Sequence, residues 1–288
     1  MTSKKIILEP LDSNPGVLPA LGVWCTEDAS QTFVSSSFPE PAGFTCDTWC
    51  YESKGIDFVS AQAMEQGKIQ MRHSWCGHDA QIVTIVTPRL GMVEFLAYLE
   101  GNSSGEPVAA IEYPPLNACW QLRNAPAFAS KPDPYPEFIK RCFIFTDRGL
   151  TFLHETERFR IPVRPPDHTY NNPPWVQMYL PIWERLRRAG PDSWADYSTT
   201  RYIYPVIGAI SRDGKYLTAL ANESSSTMCQ AWHDCMHNNP NWLPARSGAG
   251  KIWRLGIYVL RNDPDELLRR VASDFPGAMK LGDKRVPV

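Results

Sequence analysis

Through the middle of this chain, apolar and polar residues alternate with a period of two, the pattern of half-buried strands, far more often than they recur at helical spacing. Asp57–Met64 and Lys68–Trp75 flank Glu65-Gln66-Gly67, a short connection with glycine that predicts a hairpin. Gln81–Thr87 is rich in β-branched residues and nearly continuous in apolar character, which predicts a strand covered on both faces. Pro88-Arg89-Leu90-Gly91 turns the chain into Met92–Leu99, a further strand. Val108–Tyr113 and Ala118–Leu122 follow, and Phe138–Thr146 with Leu150–Glu157 forms a hairpin around Asp147-Arg148-Gly149. The clearest turn signal is Asp213-Gly214, joining Tyr202–Ile210 to Lys215–Ala221. Ile252–Leu260 is one more strand.

Helical signals are few. Val176, Tyr179, Leu180, Trp183 and Leu186 recur at three and four, predicting a helix over 176–188 that Pro181 kinks or splits. Asp263-Pro264-Asp265-Glu266 opens a short amphipathic helix to about Ser273, with proline and acidic residues in its first turn. Pro126–Pro136 and Arg164–Pro174 are proline-rich loops. Residues 1–50 are rich in Pro, Ser and Thr, with short apolar pieces at Gly22–Cys25 and Gln31–Val34, as in an N-terminal arm with edge strands. Strands arrive in sequential hairpins instead of alternating with helices. That order predicts an all-β protein, with antiparallel sheets in a sandwich or barrel-like arrangement and two or three short helices. No compositional break divides residues 1–288, so a single domain is expected.

Charge and composition narrow the function classes. A net charge of -2 supplies no basic footprint for nucleic acid and no polybasic membrane anchor. The apolar run Ile6-Ile7-Leu8 is too short for a secretory signal, and no run approaches the roughly 20 residues of a membrane span. A soluble cytoplasmic protein is the expectation. Among the eight cysteines, Cys46 and Cys50, and Cys229 and Cys235, lack the two-residue spacer of a redox or zinc motif. They read as small hydrophobes.

Pro88 followed by Gly91-Met92-Val93-Glu94-Phe95 resembles the apolar strand with an inward Glu of galactose-mutarotase-like β-supersandwiches. Gly256-Ile257-Tyr258-Val259, with Leu267-Leu268 and Asp274-Phe275-Pro276 beyond it, is similar to the closing strand and small helix of carbohydrate enzymes with that fold. The resemblance implies a supersandwich-like antiparallel β-sandwich and a sheet-lined cleft that binds sugars. It carries no catalytic residue across, because fold alone does not settle function.

Chemistry-bearing residues concentrate in Met228–Trp242, which holds Trp232, His233, Asp234, His237, Asn238 and Trp242. On a helix, His233 and His237 would share a face within reach of one divalent metal ion. On a strand they would lie about 13 Å apart, and one ion could not take both. A metal-free polar site is the other possibility. Arg72, His73, Trp75, His78 and Asp79 form a second cluster at a strand end, where a His–Asp contact can fix a tautomer for general-base work. His154 and Glu155 lie on a predicted strand and point to opposite faces. His168 and Tyr170 lie in a proline-rich loop suited to a lid or cleft wall. Arg201 and Tyr202 open a strand whose partner ends near Glu223, a combination suited to proton transfer beside a carboxylate or keto group. Tryptophans spread through the strand-rich part, among them Trp120, Trp175, Trp183 and Trp253, offer flat faces for sugar rings.

The expected function is therefore a carbohydrate-active enzyme using His-based acid/base chemistry, a lyase, epimerase or isomerase more than a hydrolase. His233, His237, His73, His78, Tyr202 and Glu223 are the expected catalytic groups. Arg72, Trp75, Asp79, His154, His168, Tyr170, Arg201, Trp232, Asp234, Asn238 and Trp242 are the expected binding groups. Hydrolysis by two carboxylates would draw on Glu94, Glu155 and Glu223. The alternatives are a non-catalytic carbohydrate-binding protein and a metal-dependent enzyme on a non-sugar substrate. The cofactor is none or one divalent metal ion at His233 and His237. The partner is a small-molecule or oligosaccharide substrate, with no nucleic acid and no membrane.

Overall fold

A computed structural model of the chain describes residues 6–10, 21–25, 44–46, 56–75, 79–101, 116–122, 128, 135–157, 176–185, 195–230, 235–246 and 250–279. In chain order its strands begin with β1 (Ile6–Pro10), β2 (Leu21–Cys25), β3 (Phe44–Cys46), β4 (Ile56–Ala63), β5 (Ile69–Trp75) and β6 (Ala80–Arg89). There follow β7 (Met92–Gly101), β8 (Leu116–Gln121), β9 (Cys142–Thr146), β10 (Gly149–Phe152), β11 (Val176–Tyr179) and β12 (Ala195–Tyr197). The last are β13 (Tyr204–Ile210), β14 (Tyr216–Asn222), β15 (Ser225–Gln230), β16 (Cys235–Pro240), β17 (Leu243–Pro244) and β18 (Lys251–Arg261). Three short helices join them, α1 (Tyr135–Arg141), α2 (Pro264–Asp274) and α3 (Pro276–Met279).

The strands form an all-β, largely antiparallel, sandwich-like arrangement. A ten-stranded sheet runs β10-β9-β13-β14-β18-β7-β6-β5-β4, with β17 beside β18. A six-stranded sheet runs β12-β11-β15-β16-β8-β3 and contains one parallel pair, β11 with β12. β1 pairs antiparallel with β2.

Alternation along each strand sorts the large sheet into two faces. On β7, Val93, Phe95, Ala97 and Leu99 enter a core shared with Ala118, Trp120, Met228 and Met236 of the small sheet. The residues between them, including Glu94 and Leu96, point the other way. On β14, Tyr216 and Leu220 join that shared core, while Leu217, Ala219 and Ala221 join a second cluster with Leu267, Val271 and Ala278 of α2 and α3. Both faces of β14 are covered, so all seven of its residues are buried. Polar bridges cross between the sheets. Asn238 Nδ2 donates to Pro205 O at 2.8 Å and Leu220 O at 3.2 Å, and Asn238 Oδ1 accepts from Asn222 Nδ2 at 2.6 Å. Trp120 Nε1 donates to Thr218 Oγ1 at 2.9 Å.

Local chemistry explains the ends of these elements. Gly214 adopts a φ of 72°, which the β13–β14 turn requires and other residues rarely tolerate. Asp213 Oδ1 accepts from Ser211 Oγ at 2.7 Å and from Lys215 N at 3.1 Å, closing the same turn. Asp263 caps α2 by accepting from Glu266 N at 2.9 Å, with Pro264 in the first turn. Leu267 and Val271, one turn apart on α2, face the sheet.

Several sequence expectations change. Residues 138–141 belong to α1, not to a strand; Phe138 and Ile139 are buried on a helix that leads straight into β9. Val176–Tyr179 is a strand, because its backbone pairs with β15 and β12 before Pro181 interrupts it. His154 and Glu155 lie in a 3-10 turn after β10. Within Met228–Trp242, the described residues up to Gln230 belong to β15 and Cys235–Pro240 forms β16, while 231–234 lie outside the described residues. The predicted strands at Gln31–Val34 and Val108–Tyr113 lie outside the described residues, as does the loop Arg164–Pro174. No helix among the described residues is long and apolar enough to cross a membrane.

Candidate functional site

The outward face of the large sheet carries an open cleft of about 710 Å³. β6, β7 and β18 form its floor, the β17 segment one wall, and the junction of α2 and α3 the other. Ile85, Leu96 and Ile252 make the floor apolar, and Arg89, Glu94, Glu223 and Arg254 stand over it.

Register explains why these charges meet. Glu94 on β7 lies opposite Thr87 of β6 and Gly256 of β18. Arg89 and Arg254 are each two residues along from those partners, so both are diagonal neighbours on the same face. Gly256 has no side chain to intervene. Arg254 Nε and Nη2 donate to Glu94 Oε1 at 3.0 and 2.5 Å, and Arg89 Nη2 donates to Glu94 Oε2. The Glu94 side chain is 8% exposed, so its two oxygens are anchored beneath the cleft surface. Arg254 also stacks over the Phe275 ring, its Cζ 4.8 Å from the centroid.

Glu223, just past β14, approaches from the side. Its Oε2 lies 3.7 Å from Arg254 Nη1, a long and solvated contact. Its carboxylate rests against the backbone of α3. A Cβ on Gly277 would come within 2.6 Å of Glu223 Cγ and 2.8 Å of Oε1, so only glycine leaves the carboxylate this position. Asp274 Oδ2 accepts from the Tyr258 hydroxyl at 2.8 Å. Burial, reinforced by the Asp274 charge, pushes the Tyr258 phenol far above its ordinary range and keeps it a donor.

Of the expected site residues, the structure places Glu94 and Glu223 in this cleft and disperses the others that it describes. His73 is fully buried on the core side of β5, and burial pushes its imidazole down to about 4. It is neutral near pH 7 and sealed from a reactant. Tyr202 is also fully buried, its hydroxyl donating to Ser225 O at 3.1 Å, and burial raises its phenol. Arg72 pairs with Glu100 and donates to Gln81 Oε1 at 3.2 Å, toward the far edge of the sheet. Arg201 donates to Glu184 O. Asp79 and His154 are exposed, away from the cleft. Asn238 bridges the sheets, and Trp242 packs on the shared core. Glu155 accepts from Phe152 N at 3.2 Å and is exposed.

His78, His168, Tyr170, Trp232, His233 and Asp234 lie outside the described residues, as does the side chain of Trp75. His237 sits on β16 in register between Cys229 of β15 and Cys119 of β8. His237 itself lies on a strand, and His233, its proposed partner for a metal, lies outside the described residues. Among the described residues, no group of three or more His, Cys, Asp or Glu side chains is arranged to hold a metal ion. Trp120 and Trp253 are buried in the shared core and Trp183 packs against it, so these indoles hold the sheets together.

Arg254, Arg89, Lys68, Arg246 and Asp274 were not singled out from sequence. The usable signal was a charge at an outward position of an otherwise apolar strand, as at Glu94 and Arg254. No protein-family model matches the sequence, and no curated protein matches it significantly.

Proposed function

We propose that the protein binds a sugar or similar polyhydroxylated small molecule in the outward cleft and moves a proton on it through Glu223. The observation that carries this reading is the convergence of Glu94 of β7, Arg254 of β18 and Glu223 just past β14 over an apolar floor in one open cleft. Glu94 braces Arg254. The guanidinium can then present N–H donors to a ligand hydroxyl or a developing oxyanion. Among the described residues Glu223 has one ion contact, at 3.7 Å, and it is the carboxylate placed to accept a proton. The floor of Ile85, Leu96 and Ile252 suits the C–H face of a sugar ring.

Proton transfer of the lyase, epimerase or isomerase kind fits better than two-carboxylate hydrolysis. Both oxygens of Glu94 are engaged by guanidiniums, so it is poorly placed to serve as the acid of a hydrolytic pair. Binding without chemistry is the second reading, favoured by the ion partner that each of Glu94 and Glu223 already has. A thermal-shift screen of neutral and acidic sugars, followed by turnover assays on each hit, tests both. Glu223→Gln should keep ligand binding and lose about 100-fold or more of turnover. Unchanged turnover removes Glu223 from the chemistry, and hits that bind but never turn over favour the binding protein.

A further inference from the structure

We infer that the ligand of this cleft carries a carboxylate, as a uronic or aldonic acid does, with Arg254 as its anchor. This rests on the reading of the cleft as a small-molecule site and goes further, to the charge of what it takes.

Four cations line the cleft, Lys68, Arg89, Arg246 and Arg254, against three carboxylates, Glu94, Glu223 and Asp274. Two of those carboxylates are committed. Glu94 holds two guanidiniums and Asp274 holds the Tyr258 hydroxyl. Among the described residues, Lys68 and Arg246 make no ion pair. The cleft therefore presents an excess of positive charge over an apolar floor, on a protein whose net charge is -2. One bound carboxylate balances it.

Geometry selects Arg254 from the four. Its side chain is 19% exposed, so a ligand contact there is less screened than one at Arg89, whose side chain is 50% exposed. Glu94 fixes Nε and Nη2, and Phe275 fixes the plane of the guanidinium. Only Nη1 faces a replaceable partner, Glu223 at 3.7 Å. A ligand carboxylate seated on Nη1 would release Glu223 beside the ligand's own α-carbon. The same event that binds the acid frees the proton acceptor.

Isothermal titration of the full chain with matched pairs tests this: galacturonate against galactose, glucuronate against glucose, and gluconate against glucitol, at low and high salt. In at least one pair the acid should bind about tenfold tighter or more, with the gap narrowing as salt rises. Arg254→Met should abolish the gap. Because that variant also unbraces Glu94, Lys68→Gln combined with Arg246→Gln serves as a second probe at the rim. It should weaken the acid several-fold, by about threefold to tenfold, and leave the neutral partner unchanged. Neutral partners that bind as tightly as the acids overturn the carboxylate claim while the sugar cleft stands. Failure of every pair to bind overturns both. An acid preference that survives both sets of substitutions overturns the assignment to Arg254 and its neighbours.

Discussion

The two faces of the large sheet use polar residues in opposite ways. On the inward face, Asn222, Thr218 and His73 are sealed, and the first two tie the large sheet to Asn238 and Trp120 of the small one. On the outward face, Glu94, Arg254 and Glu223 gather where the sheet is open to solvent between α2–α3 and the β17 segment. Buried polar bridges fix which strand lies over which, because a slipped register leaves them unsatisfied. An ion cluster at an open cleft has little such role and is free to meet a ligand. Residue type alone does not reveal the difference; a histidine is core on one face and a glutamate is the candidate reactant on the other.

Substitutions can break this contrast, beginning on the inward face. Trp253→Ala should cost about 3–5 kcal/mol in chemical denaturation, because the indole is fully buried in the shared core. A loss near zero would mean that the sheets are not packed face to face there. His73 sets a pH dependence. Its folded imidazole is near 4 against an ordinary 6.5, so the unfolded chain binds the extra proton first as pH falls. Its contribution to stability is fully present above pH 6.5 and is lost as pH falls toward 4, by up to about 3 kcal/mol. His73→Leu should flatten that part of the stability–pH curve, and an unchanged slope would show that His73 is solvated. Asn238→Ala should cost about 1–3 kcal/mol, since it strands Asn222 and two carbonyls, without altering ligand affinity in the cleft.

The outward face should respond the other way. Gly277→Ala should lower stability by about 1 kcal/mol or less, as the end of Glu223 swings aside. Turnover should nonetheless fall several-fold, because the displaced group is the proposed proton acceptor. A large stability loss with normal turnover would reverse the assignment and make Glu223 a packing residue.

How far the sequence foretold these faces depended on the range of each signal. Hairpins with a chemical turn, such as Asp213-Gly214, were legible because the turn residues act on their own neighbours. The helix at Tyr135–Arg141 was not, because Phe138 and Ile139 run into the apolar strand Cys142–Thr146 without a change of pattern. Val176–Tyr179 misled in the opposite sense: apolar residues spaced at three and four came from a strand, a proline and a turn in succession. Glu94 and Glu223 were visible as possible partners, but Arg254 stands 160 residues beyond Glu94, and only the β7–β18 register joins them. The histidines were conspicuous for their scarcity, which says nothing about the face they occupy.

The most direct test of the outward cleft is hydrogen exchange with and without a saturating amount of whichever sugar or sugar acid raises the melting temperature. Protection should grow at residues 85–89, 94–96, 252–256 and 273–277, with β15 and β16 unchanged. Protection confined to β15 and β16, with the cleft amides exchanging as in the free protein, would contradict the account and return the site to the His237 stretch.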